Sequence, residues 1–111
     1  MNSPEVRKLV ENEIGDDWSS TNHHHVDLGR ALIQPRKTPV IERTVRNGKL
    51  QDQTLAVWLV LVEHPETKGG YRIVMKEEDP VFGLASEGFP EDEHLVLDGW
   101  YGGFMSTFRG M

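Results

Sequence analysis

Leu55 to Val62 form an unbroken apolar stretch of eight residues, Leu-Ala-Val-Trp-Leu-Val-Leu-Val. Its length settles its use. Crossing hydrocarbon takes about 20 apolar residues, whereas a strand buried on both sides takes roughly four to eight. At a period of two, Leu55, Val57, Leu59 and Leu61 share one face, and Ala56, Trp58, Val60 and Val62 share the other. Both faces are apolar, so the stretch is expected to be a central strand with something packed on each side. No membrane insertion follows from it.

The flanking sequence supplies partners for this strand. Asn47-Gly48 is a strong hairpin signal because both residues tolerate positive φ. It joins a β-branched arm from Thr38 (Val40, Ile41, Thr44, Val45) to a second arm ending at Glu63. A turn cluster from His64 to Gly70 precedes a third strand, Tyr71 to Lys76, and Asp79-Pro80 breaks it before a short fourth strand, Val81 to Ser86. At the N-terminus, Ser3 as cap and Pro4 at the first helical position open a helix. Val6, Leu9, Val10 and Ile14 give that helix its apolar face, and Gly15 stops it. Asp16 to His25 reads as a polar loop. Residues 26–34 fit either a short helix capped by Asp27 and ended by Pro35, or a strand through Val26, Leu28 and Leu32.

Beyond the acidic loop Glu87 to Glu93 and the apolar stretch Leu95 to Leu97, Asp98 is positioned to cap a last helix. Trp100, Phe104 and Phe108 recur in it at helical spacing, with Tyr101 and Met105 one step round. Sequential strands joined by short turns pair antiparallel. The expected fold is therefore α+β: an antiparallel sheet of three to four strands with N- and C-terminal helices in a two-layer sandwich, one domain over residues 1–111. With 37% hydrophobic residues the chain has enough apolar surface to build such a core.

Twelve Lys and Arg against eighteen Asp and Glu leave a net charge of −6, which repels a phosphate backbone, so no nucleic-acid partner is expected. The charge is uneven. Residues 26–50 hold Arg30, Arg36, Lys37, Arg43, Arg46 and Lys49 against Asp27 and Glu42, while Arg109 is the one base after Lys76. The absence of cysteine removes disulfides and thiolate sites, and Met-Asn-Ser-Pro-Glu-Val-Arg-Lys carries no apolar leader. A cytoplasmic protein is expected.

Chemistry-bearing motifs are sparse. In an extended segment His23, His25 and Asp27 would point the same way, a donor set suited to a divalent transition metal and, through it, to a small metal-dependent enzyme. His64 and His94 are the remaining acid–base candidates. Ser19-Ser20-Thr21 lacks a nucleophile-elbow pattern, and the glycines at 69–70 and 99–103 match no phosphate-binding loop. Trp18 beside Asp16 and Asp17, and Phe89 among Glu91, Asp92 and Glu93, instead pair an aromatic with carboxylates, as protein-binding surfaces do. The leading expectation is a non-enzymatic protein-binding domain, of the inhibitor or immunity type, that masks a basic partner surface; the alternative is the metal site. A homodimer is also expected to be possible, through Trp58, Val60 and Val62 on a sheet face that helices leave bare.

Overall fold

In a computed structural model describing residues 1–111, the chain runs α1 (Ser3–Ile14), α2 (Leu28–Ala31), β1 (Leu32–Arg46), β2 (Lys49–His64), β3 (Gly69–Lys76), β4 (Val81–Ser86), β5 (Leu95–Gly102) and α3 (Phe104–Arg109). Helix α1 starts one residue earlier than the Ser-Pro signal implies. Asn2 is the cap: its side chain accepts from Glu5 N–H at 2.9 Å, and Glu5 Oε1 accepts from Asn2 N–H at 2.9 Å, a reciprocal capping box. Ser3 is freed to bond the Pro35 carbonyl and the Gln34 side chain, tying the helix to β1. Val6, Val10 and Ile14, four residues apart, are buried along one stripe.

Residues 26–34 use both of the readings open to them. Asp27 caps the single turn α2, its Oδ1 accepting from Arg30 N–H at 3.4 Å, and β1 begins immediately at Leu32. Pro35 therefore does not end a helix. It lies in an irregular stretch of β1, where Leu32 opposes Leu61 and Arg36 opposes Leu59. Further on the ladder is regular to the turn, Arg46 opposing Lys49, with Asn47 and Gly48 at φ of 52° and 72°.

The expected α+β two-layer sandwich is not what forms. Strands β1 to β5 close into a barrel in sequence order, close to half the chain is strand, and the helices are short. Parity dictates the closure. Four consecutive antiparallel connections leave the fifth strand running in the direction of the first, so β1 and β5 meet in parallel, at Val40 with Leu95 and Ile41 with Val96. The barrel is mixed, not purely antiparallel. The sandwich reading assumed that an open sheet needs a second layer on its bare face; here the sheet curls until that face covers itself.

Two cores result. Inside the barrel, Val40, Val57, Leu59, Val62, Val74 and Ala85 pack with Ile33, Leu55, Leu95, Leu97 and Trp100, so all five strands contribute. Outside, α1, α2 and α3 cover β2, β3 and β4: Val6, Val10, Ile14, Leu28, Phe104 and Phe108 meet Trp58, Val60, Leu61, Ile73, Met75, Phe82 and Leu84. Phe104 packs edge-on against Phe82 at 5.5 Å. The apolar run of β2 is thus buried on both sides, but its faces are not the simple alternation. Leu59 opposes Val74 and Leu61 opposes Ile73, leaving Val60 as a bulge. Val60 and Leu61 both join the outer core, and Val62 falls inside. Trp58, Val60 and Val62 are all buried within the chain, so the bare face from which a homodimer was argued does not exist.

The C-terminal aromatic segment is divided between two elements. Where a helix capped by Asp98 was expected, β5 continues to Gly102, and the Asp98 carboxylate accepts from Ser86 Oγ at 3.2 Å. Gly102 at φ 95° turns the chain into α3. Trp100 sits in the barrel over Gly83, where a Cβ would stand 2.5 Å from the Gly99 carbonyl and 2.7 Å from the Trp100 ring.

Candidate functional site

Strand β5 begins only at Leu95, opposite Val40, so the first half of β1 has no strand along its second edge. Pro35 and Pro39, which lack an N–H, lie in that half, as suits an unpaired edge. Between it and the loop joining β4 to β5 opens a cleft of about 840 Å³. Ile33, Leu59, Val62 and Leu95 give it an apolar floor continuous with the inner core, and Arg36, Lys68, Arg72, Glu87 and Glu93 ring it with charge. Arg72 is buried, its guanidinium donating to the carbonyls of Gly70 (2.8 Å) and Lys68. It lies 3.7 Å from Glu87.

The outer wall is held by one clamp. Arg43 pairs in register with Asp52 across the hairpin and forks onto it, Nε to Oδ1 at 2.8 Å and Nη2 to Oδ2 at 2.9 Å. The same guanidinium reaches Asp92 of the loop at 2.8 and 3.4 Å. Asp92 in turn accepts from Phe89 N–H at 2.7 Å, and its own N–H donates to the Phe89 carbonyl at 2.9 Å, closing a tight turn. A side chain at Gly88 would collide with the Asp92 carboxylate and with Val96. The two carboxylates hold Arg43 above its ordinary range, Asp52 contributing most; the Arg43 hydrogen bonds hold both carboxyls below theirs, Phe89 N–H adding to the effect at Asp92. This clamp presents Phe89 at the rim with 61% of its surface exposed, its ring 5.8 Å from the Arg43 guanidinium carbon.

Of the residues singled out from sequence, Phe89, Asp92 and Glu93 line the cleft, and Glu91 stands exposed on the same loop. Asp92 is engaged by Arg43 and Glu87 by Arg72, so the charge the loop offers a partner is that of Glu91 and Glu93. Trp18 is 39% exposed on the loop after α1, where neighbouring Asp17 faces Arg109 at 3.5 Å, and it does not line the cleft. Trp18 and Phe89 do not form one site. His23, His25 and Asp27 are not brought together either: no three His, Asp or Glu side chains gather as a group that holds a metal, and Asp27 is used as a cap. The middle histidine of the run makes the contact instead. His24 Nδ1 lies 2.7 Å from Glu63 Oε2, its ring stacks on Tyr71 at 5.6 Å, and Glu63 Oε1 accepts from Tyr71 N–H at 2.9 Å. This pins the polar loop to the barrel.

Comparison with known protein families, curated proteins and solved structures found no match. No helix of the chain is long and apolar enough to cross a membrane.

Proposed function

We propose that this chain is a protein-binding domain that takes a segment of a partner into the cleft between β1 and the β4–β5 loop, and in doing so masks a basic surface of that partner. The observation that carries the reading is the cleft itself: an apolar floor, a charged rim and an exposed phenylalanine on a loop held rigid by Arg43 and Asp92. An apolar anchor of the partner would seat on Leu59 and Val62, while its basic side chains would meet Glu93 and compete with Arg72 for Glu87. A rigid loop favours binding because little entropy is left to lose. An inhibitor or immunity-type role in the cytoplasm, where a fold without disulfides needs no oxidising compartment, is the setting this reading takes.

The test uses two defined peptides of alternating Leu and Lys, or Leu and Glu, titrated into isotope-labelled protein at low and high salt. The Leu-Lys peptide is expected to shift the amides of Ile33, Leu59, Phe89 and Leu95, with affinity falling as salt screens the rim. Replacing Glu87 and Glu93 by Lys should reverse the preference between the peptides. Shifts confined to other surfaces, or equal response to both peptides, would refute the assignment.

A further inference from the structure

Arg72 is the charged exception on an apolar face. It shares the inward face of β3 with Val74, and the register sets it between Val62 on β2 and Ala85 on β4, all three of them inner-core residues. The residue is 8% exposed, and a charge so placed calls for a counter-charge. Of the five N–H bonds of a guanidinium, two go to the carbonyls of Gly70 and Lys68, which hold the group in place. The others are left for something else. Glu87, its ion-pair partner, stands 3.7 Å away, too far for a hydrogen bond, on a side chain that is 78% exposed. A second guanidinium flanks the same floor: Arg36 opposes Leu59 as Arg72 opposes Val62. Arg36 and Lys68 are exposed at the cleft and make no ion pair within the fold.

These cations do not suit a partner segment that is basic throughout, since they would repel it. Nor does the cleft suit a segment held as an added strand. Along the free edge of β1, Pro35 and Pro39 have no N–H to give, the Ile33 carbonyl accepts from Arg7 Nη1 at 3.5 Å, and the Pro35 carbonyl accepts from Ser3 Oγ. Recognition falls to side chains, over a floor that is packed core and lets nothing run on through the barrel. We propose that the partner segment enters by its C-terminus, its last residue apolar and seated on Leu59 and Val62, its α-carboxylate replacing Glu87 at Arg72. The inference rests on the cleft reading and narrows it. Arginine and carboxylate pair through two parallel hydrogen bonds, which Glu87 at its present distance does not make. Arg36 and Lys68 draw the carboxylate in, and bases further back in the segment meet Glu93 and the displaced Glu87. One loose internal ion pair is thereby exchanged for pairs with the partner.

Three peptides of alternating Lys and Leu, each ending in Leu, decide it: one with a free C-terminal acid, one with the carboxamide, and one carboxamide with Glu in place of its last Lys. Each is titrated into isotope-labelled protein at the same salt. The free acid is expected to bind at least about tenfold more tightly than either amide, and to shift the Arg72 Nε–H signal together with the amides of Leu59 and Val62. The net charge of −6 would by itself favour the plain amide, so attraction to the whole molecule does not imitate this result. Glu87→Gln removes the internal competitor from an exposed position and should raise the ratio of acid to amide affinity, whatever it does to the contacts of the bases. Arg72→Gln keeps a donor for the turn carbonyls and should bring that ratio close to one; should it fail to fold, Glu87→Gln decides. Acid and amide bound equally in the cleft would overturn the inference and leave the cleft reading standing, whereas no binding by any peptide overturns both. A Glu-containing amide that matches the free acid would mean that a side-chain carboxylate suffices, and overturns the chain-end assignment. A ratio unmoved by Glu87→Gln, or by a folded Arg72→Gln, places the carboxylate elsewhere and overturns it equally.

Discussion

At the residue scale, Arg43 sets the geometry of the cleft's outer wall, because one guanidinium joins the β1–β2 hairpin, through Asp52, to the loop, through Asp92. Its removal should leave the barrel folded and loosen the loop. Arg43→Ala is expected to speed hydrogen exchange at Phe89 N–H, which Asp92 holds, while amides of β3 exchange as before. The clamp is also sensitive to acid, in a direction its pKa values determine. Asp52 and Asp92 are held below their ordinary value of 3.8 in the folded chain. Their stabilisation is complete well above that value and is lost as pH falls through the lowered folded values. Protection at Phe89 N–H should therefore drop in acid, below about pH 4, and Arg43→Ala should weaken that dependence, leaving the part that Asp92 owes to Phe89 N–H alone. A Phe89 amide whose protection is flat down to the acid limit of the fold would dismiss the clamp. Gly83 is the second residue with a forced identity. Gly83→Ala drives a methyl against the Gly99 carbonyl and the Trp100 ring, an overpacking cost of about 1–3 kcal/mol. Urea denaturation should show the loss, accompanied by a change in Trp100 emission.

At the scale of elements, what the sequence discloses depends on whether a signal is local. The hairpin was fully legible: Asn47-Gly48 fixes the turn, and counting outward from it places Arg43 against Asp52 and Val45 against Leu50, so half of the clamp could have been read directly. The strands β3 and β4 follow from alternation and breakers in the same way. Strand β5 was hidden because Trp100, Phe104 and Phe108 mimic one helical stripe, although Gly102 divides them between a strand and a helix on opposite sides of the sheet. The Val60 bulge left no local trace; it exists because β2 must bend to close the barrel. The cleft was out of reach for a related reason: Arg36 opposes Leu59 within the hairpin, but Phe89, Glu93 and Leu95 come beside them only on closure. Helix α3, six residues long, is too short to be stable alone and is held by what it buries. Phe108 is fully buried in the outer core. Phe108→Ala should cost about 3–5 kcal/mol, seen as a lower urea midpoint with α3 amides exchanging ahead of the rest. A loss much smaller than this would mean that the outer core does not depend on α3.

At the scale of the whole molecule, an odd number of meandering strands makes the closing seam the one parallel contact of the barrel. It is also the shortest: two paired positions join β1 to β5, against five between β3 and β4. Beside this seam lie both the cleft and the Arg43 clamp, so the segments that would meet a partner are those with least sheet to hold them. Elements with few backbone bonds open most readily. Hydrogen exchange in the native state should therefore rank β3 and the centre of β2 as best protected, with Leu95, Val96 and the loop before them opening at lower free energy than global unfolding. Because the clamp bridges the seam from outside, Arg43→Ala should lower that local opening free energy while leaving the slowest β3 amides unchanged. Loss of protection shared equally by β3 and β5 would mean that the barrel opens as a unit and that the seam is no weaker than the rest of the sheet.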